Sequence, residues 1–104
     1  MKITSVEAIP LRIPFTHGGP SIAWAGSDWQ FLEIVLVRVG TDSDLVGWGE
    51  AVSYNCQTAV VAMIEESASA VLVGKAVSDR ETIVHELQVG MHLWGRYGIS
   101  MFAI

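Results

Sequence analysis

The chain has 104 residues, enough for one domain with one modest hydrophobic core. Apolar residues make up 51% and charged residues 16%, which excludes a disordered chain, and a formal net charge of −5 with scattered basic residues excludes a nucleic-acid-binding surface. The longest apolar stretches, such as Phe31–Val39 and Ala68–Val73, are interrupted or far shorter than the roughly 20 residues that a membrane-spanning helix needs. The mean hydropathy of +0.43 therefore indicates an apolar face that another domain covers.

The single cysteine, Cys56, excludes an internal disulfide and is typical of a protein of the reducing cytoplasm. No histidine lies near it in the sequence, so we interpret it as a buried or incidental thiol rather than a nucleophile. Residues Met1–Ser5 lack the apolar core of a signal peptide, which also favours a cytoplasmic location.

The first half of the chain predicts strands. Lys2–Pro14 reads as a strand in which Pro10 and Pro14 mark an edge or an end, and the apolar residues of one side are Ile3, Ile9, Leu11 and Ile13. A Gly-rich loop, Phe15–Asp28, follows; loops of this length are usually functional or mobile.

The next segment, Trp29–Val39, is apolar on both sides, which predicts a central strand covered on both faces. Gly40–Asp44 has the composition of a turn, and Leu45–Ala51 returns as a third strand. These segments predict a three-stranded antiparallel meander.

The second half predicts two helices. Gln57–Val73 carries one apolar stripe and ends at Gly74. Ser78–Glu81 has the form of a capping box, and a second helix that Gly95 or Gly98 breaks should follow it. The predicted stripes are Val60, Ile64, Ala68, Val71 and Leu72 in the first helix, and Ile83, Val84, Leu87, Met91 and Trp94 in the second.

The expected fold class is therefore α+β, a strand meander followed by a helical layer. One helical layer covers only one face of a strand such as Phe31–Val39, so the other face needs a different partner. Gly98–Ile104 begins another apolar segment and has no polar tail. We expect that residues 1–104 form one domain, truncated before a further domain.

Several segments resemble the mandelate racemase and muconate lactonizing enzymes of the enolase superfamily. Met1–Phe15 is similar to their opening strand, and Gly47–Ala51, Gly-Trp-Gly-Glu-Ala, resembles their third strand. The capped helix from Ser78 and the segment Gly98–Ser100 lie where these enzymes approach their catalytic barrel. The resemblance covers the family's N-terminal capping domain only and implies that the barrel is absent from this chain.

The resemblance implies a function for the parent protein. Enzymes of this family abstract the proton next to a carboxylate and stabilise the enolate on Mg²⁺, with metal ligands and basic residues on the barrel. The parent would be a racemase, epimerase, cycloisomerase or acid-sugar dehydratase acting on a small carboxylate, and would form a homo-oligomer. The capping domain supplies two substrate-specificity loops, which here are Phe15–Asp28 and Ser53–Gln57.

Four residues of these loops are candidate substrate contacts. His17 either reaches the substrate or is an ordinary exposed loop residue, and Trp24 either walls a pocket or pins its loop. Trp29 is better interpreted as pinning the loop. Tyr54 and Asn55 follow the third strand, where the second loop of the family lies.

The other polar residues predict no catalytic or metal site in this chain. Asp42-Ser43-Asp44 reads as a solvated turn rather than a cation site, and Glu50 as making a structural hydrogen bond with nearby backbone rather than as catalytic. His85 and His92 are seven residues apart, whereas helical zinc pairs are usually four apart. The fragment alone should therefore be inactive. The alternative is a free-standing, non-catalytic module whose apolar face binds a partner or a second copy.

Overall fold

The computed structural model describes residues 1–16, 18–20, 23–24, 27–95, 97–98 and 103. It confirms the α+β class, with a three-stranded antiparallel sheet followed by helices. The strands are β1 (Ile3–Pro14), β2 (Ala23–Trp24), β3 (Ser27–Asp28), β4 (Phe31–Thr41) and β5 (Val46–Val52). The helices are α1 (Gln57–Ala62), α2 (Ser69–Leu72) and α3 (Arg80–Gly90), with a π-helical segment at Met63–Ala68 and 3-10 turns at Val77–Asp79 and His92–Trp94.

The main sheet has the order β1-β4-β5, so β4 is the central strand, as the sequence predicts. It begins two residues later than predicted and extends to Thr41. The turn into β5 is held by the Thr41 hydroxyl, which donates to the carbonyl of Leu45 at 2.7 Å. The first predicted loop is less irregular than expected, because β2 and β3, which have two residues each, pair antiparallel within it.

An irregularity in β1 corrects the predicted apolar side of this strand. The register with β4 shifts between Ile3 and Ser5, and Ile3 packs in the core with 6% of its surface exposed. Residues beyond the shift alternate normally, so Ala8 faces the core while Ile9 lies on the opposite face. One extra residue in a strand moves every residue beyond it to the opposite face of the sheet. The apolar pattern of the sequence did not indicate this extra residue.

The helices cover one face of the sheet, here called the inner face. Its centre is Val35, which is fully buried and pairs with Ala51 of β5. Val60 and Ile64 of the long helical segment pack on this pair. A second buried cluster lies where the helices meet the start of β1 and consists of Ile3, Ala68, Ile83, Leu87 and Met91.

The first predicted helix is confirmed as one continuous helical run from Gln57 to Leu72. Its buried residues Val60, Ile64 and Ala68 are spaced four apart, and the wider π-helical turns from Met63 keep such residues aligned on one face. The run ends where predicted, since Gly74 has a φ of 90° that favours glycine.

The second helix corrects two predictions. The capping box does not form: Asp79 occupies the N-cap position without a side-chain hydrogen bond, and the Ser78 hydroxyl donates to the Asp79 carboxylate at 3.0 Å. The helix ends at Gly90 and not at Gly95 or Gly98. Trp94 therefore leaves the predicted buried stripe and is 57% exposed, whereas Met91 is buried.

The opposite face of the sheet, here called the outer face, carries exposed apolar side chains. It is formed by alternate residues of the three strands, namely Ile9, Leu11 and Ile13 of β1, Leu32, Ile34 and Leu36 of β4, and Trp48 and Val52 of β5. Trp48 is 61% exposed. Within the described part of the chain nothing packs over this face, as expected for a single helical layer. No helix in the described ranges is long and apolar enough to cross a membrane.

Candidate functional site

Both predicted specificity loops lie at one end of the main sheet. Pro14 at the end of β1 pairs with Phe31 at the start of β4, and Ile34 of β4 pairs with Val52 at the end of β5. The loop after β1 and the loop after β5 therefore leave the sheet at the same end. The sheet thus brings together two segments that are about 30 residues apart in the sequence.

The second loop is a tight turn in an unusual conformation. The backbone N–H of Cys56 donates to the carbonyl of Ser53 at 2.7 Å, and the two residues between them, Tyr54 and Asn55, have φ values of 39° and 61°. Two positive φ angles in a row are the signature of a type I′ turn. Asn tolerates this conformation, whereas for a bulky residue such as Tyr54 it is strained. No other non-glycine residue in the described ranges has a positive φ.

Two buried or half-buried polar side chains hold this turn on the sheet. The hydroxyl of Ser53, which is 1% exposed, donates to the carbonyl of Glu33 at 2.6 Å. The amide nitrogen of Gln57 donates to the carbonyls of Leu11 and Ile34, each at 2.8 Å. The turn is thus fixed on both sides, while Tyr54 at its tip is 69% exposed. Both anchors fall within the predicted loop Ser53–Gln57, but no sequence motif indicates their buried hydrogen bonds.

The first loop is closed at its base by two aromatic rings. Phe15 and Trp29 pack edge to face with ring centroids 4.9 Å apart, and the N–H of Phe15 donates to the carbonyl of Gln30 at 3.0 Å. This contact supports the interpretation that Trp29 pins the loop. Of the other two candidates, Trp24 lies in β2 and its role stays a prediction, and His17 lies outside the described residues.

A groove of about 380 Å³, a volume typical of small-molecule sites, lies beside the second loop. Tyr54 and Asn55 contribute from the second loop, and Trp29 contributes from the position directly after the first loop. The remaining lining is mainly apolar and comes from the strands: Phe31, Leu32, Glu33, Ile34, Glu50 and Val52. The sequence did not single out these strand residues except Glu50, because a wall formed at strand ends leaves no local motif.

Two acidic residues line the groove, and their side chains have different surroundings. Glu33 pairs with Arg12 at 3.6 Å, and the Arg12 guanidinium also stacks on the Phe31 ring, 3.9 Å from its centroid. Glu50 is exposed and, within the described part of the chain, its side chain makes no hydrogen bond or ion pair. The prediction that Glu50 makes a structural hydrogen bond with nearby backbone is therefore wrong within the described residues. Glu50 pairs with Leu36 on the outer face of β5, where its side chain points away from the packed core.

The remaining polar candidates lie outside the groove. The Asp42 carboxylate accepts a hydrogen bond from the Lys2 N–H at 2.8 Å, so this turn joins β1 to β4, as a structural turn should. His85 is exposed on α3, whereas His92 is exposed in the 3-10 turn beyond the end of α3, so the two do not share one helix face as predicted. Cys56 is exposed rather than buried. In the described ranges, no three His, Cys, Asp or Glu side chains come close enough to hold a metal ion.

Comparison with known proteins gives one family for nearly the whole chain. The family model of the mandelate racemase / muconate lactonizing enzyme N-terminal domain matches residues 12–103. The L-Ala-D/L-Glu epimerase of Bacillus subtilis (strain 168) is 31% identical over 97 residues, which cover 85% of this chain and 25% of the epimerase. The chain thus spans about a quarter of the length of this curated relative.

Solved structures share the fold. A muconate lactonizing enzyme from M. smegmatis, complexed with muconolactone, superposes with a TM-score of 0.70 and 34% identity over 86% of this chain and 25% of the enzyme. An enolase-superfamily member from Agrobacterium tumefaciens gives 0.83 with 24% identity, over 98% of this chain and 31% of that one. A racemase from Streptomyces coelicolor A3(2) with bound magnesium gives 0.80 with 21% identity, over 94% and 27%. The likenesses below 25% identity support the fold alone.

Proposed function

We propose that this chain is the capping and substrate-specificity domain of a racemase, epimerase or related enzyme. The proposal starts from its family, since the chain is an N-terminal domain of the mandelate racemase / muconate lactonizing enzyme family. The reaction would begin with removal of the proton next to the carboxylate of a small substrate. The catalytic barrel would follow residue 104, with residues 1–104 as one domain.

One observation supports this proposal: a groove lies between the turn that carries Tyr54 and Asn55 and Trp29, the residue that directly follows the predicted loop Phe15–Asp28. A lid that selects substrates must present variable side chains from a rigid support. Tyr54 meets this description, since it is exposed at the tip of a turn anchored by Ser53 and Gln57. Strained non-glycine backbone also concentrates at functional sites.

The residues of this chain supply substrate contacts and not the chemistry. The described residues contain no cluster of three metal-ligating side chains, so they do not fit a magnesium site. If the parent enzyme binds magnesium, as the S. coelicolor racemase does, the ligands come from elsewhere in the parent protein. Tyr54, Asn55 and Trp29 would cover the substrate and exclude water, while Trp24 and His17 are further candidate contacts from the first loop.

The experiment uses the full-length protein that carries this domain. Exchange of the α-proton in D₂O, followed by proton NMR over a panel of carboxylates, would identify a substrate. Tyr54→Ala should then lower kcat/KM by at least tenfold, while Tyr97→Ala, at an exposed tyrosine away from the groove, should leave it unchanged. Equal activity of both variants on every carboxylate that reacts would contradict the specificity role.

A second candidate function is favoured by the outer face. Its exposed apolar side chains, Trp48 among them, would equally suit a free-standing module that binds a second copy. The two functions differ in a simple observation. An open reading frame that continues beyond Ile104 into alternating strands and helices supports the enzyme, and a stop codon at that point supports the module.

A further inference from the structure

One half-buried side chain connects the second specificity loop with both strands that flank the first. Gln57 is the last residue of the second loop and the first residue of α1. Its amide nitrogen donates to the carbonyl of Leu11 in β1 and to the carbonyl of Ile34 in β4, each at 2.8 Å. Leu11 and Ile34 are partners in the ladder between these strands, and the chain that connects the two strands contains the first loop.

The partners of this amide fix its orientation. Both acceptors are backbone carbonyls, so only the nitrogen end of the amide can face them, and both of its protons are used. The backbone of Gln57 is held as well, because Val60 and Ile64 of the same helical run pack on the inner face. Neither strand can therefore move relative to the second loop without stretching one of the two hydrogen bonds.

Gln57 differs in this respect from the other anchor of the turn. The hydroxyl of Ser53 donates to the carbonyl of Glu33, so it ties the turn to β4 alone. No other side chain in the described part of the chain hydrogen-bonds to the backbone of β1 between Ile9 and Pro14. The link between the second loop and the strand that enters the first loop therefore depends on Gln57.

We propose that Gln57 is a positioning residue that couples the two specificity loops. Its two hydrogen bonds set the position of the turn that carries Tyr54 relative to the pair of strands from which the first loop leaves the sheet. A displacement of either loop is transmitted to the other through this contiguous hydrogen-bond network. The inference rests on the proposed function, since the coupling affects substrate selection only if both loops cover a substrate.

The test measures the opening of each loop in the full-length protein that carries this domain. The amide of Phe15, bonded to the Gln30 carbonyl, reports the base of the first loop, and the amide of Cys56 reports the second. Hydrogen exchange resolved to single residues by mass spectrometry gives the protection of both amides. Gln57→Met keeps the length of the side chain but removes both donors, so both amides should lose protection by about tenfold or more.

Two control variants separate coupling from general loosening. Ser53→Ala should lower the protection of the Cys56 amide and leave that of Phe15 near the wild-type value, because Ser53 does not contact β1. Gln88→Met, the same change at an exposed position of α3, should leave both amides unchanged.

A third variant tests the hydrogen bonds themselves. In Gln57→Glu the carboxyl group donates one proton when it is neutral and none when it is ionised, and the ionised form repels the two carbonyl oxygens. The protection of Phe15 should therefore be low at neutral pH and recover in part as the pH falls through the titration of this carboxyl, relative to wild type at the same pH. A side chain that only fills space would show no such recovery.

Kinetics then connect the coupling with selection. For the carboxylate whose α-proton exchanges fastest, Gln57→Met should raise KM by about tenfold and change kcat less, because the loops bind the substrate and do not perform the chemistry. If no carboxylate exchanges its α-proton, the proposed function fails, and the two amides still decide the role of Gln57.

Three results would overturn the coupling. The first is a Gln57→Met variant in which Cys56 loses protection and Phe15 keeps it. The second is equal loss at both amides in Ser53→Ala, which would show that any loosening of the turn spreads through the sheet. The third is a Gln57→Glu variant without the pH-dependent recovery, and this result stays decisive if Gln57→Met fails to fold.

Discussion

Replacing Tyr54 by glycine should stabilise the protein and at the same time impair substrate selection. An L-residue in the left-handed region costs about 1–2 kcal/mol, and glycine removes that cost. Glycine also loses about 0.5–1 kcal/mol through the greater freedom of the unfolded chain. Since the Tyr54 side chain is 69% exposed, little packing is lost, and the net gain should be about 0.5–1 kcal/mol.

Urea unfolding followed by circular dichroism measures this difference directly. The matched control is Tyr97→Gly, because Tyr97 is 89% exposed and does not have a positive φ. The control should lose roughly 0.5–1 kcal/mol, so the two substitutions should change stability in opposite directions. A loss of 1 kcal/mol or more for Tyr54→Gly would refute the reasoning, because the contacts of the ring would then outweigh the backbone strain.

Three other substitutions test the core, the anchor and the outer face. Ile64→Ala, at a side chain with 1% exposure, should cost about 2–5 kcal/mol and lower the thermal midpoint by at least about 8 °C in calorimetry; a smaller shift would mean that the helix repacks. Ser53→Ala leaves the buried carbonyl of Glu33 without its donor and should cost about 1–3 kcal/mol in urea unfolding, whereas a neutral result would show that water replaces the hydroxyl. Trp48→Lys should weaken self-association of the 104-residue chain about 30-fold in sedimentation, equivalent to about 2 kcal/mol of apolar burial; a chain that is monomeric at tens of micromolar would contradict the use of this face.

The sequence predicted the regular elements well because their apolar patterns are long. The three strands, the long helical run and the central position of β4 all follow from periodicity and turn composition. The errors fall where a single residue changes the geometry. The shift after Ile3 moves residues between faces, and Gly90 ends α3 before the apolar pattern does, which leaves Trp94 exposed.

The candidate site was predictable in its location and not in its construction. A strand end followed by a polar segment before a helix indicates a loop, which located Tyr54 and Asn55. Their left-handed backbone could not be read from the sequence, since tyrosine disfavours it and only the hydrogen bond from Cys56 to Ser53 closes the turn. The anchors of the turn depend on pairings 20 to 46 residues apart, which only the folded sheet supplies.

The arrangement separates the residues that hold the fold from those that would select a substrate. Ser53 and Gln57 fasten the turn to the sheet through backbone carbonyls, so their partners do not depend on which side chains the strands carry. Tyr54 and Asn55 are exposed and add little to the core. Substitutions at Tyr54 can therefore change the shape and charge of the groove at a small cost in stability, whereas changes at Ser53 or Gln57 should alter stability and selection together. A lid that must accommodate different substrates on one fold requires this separation.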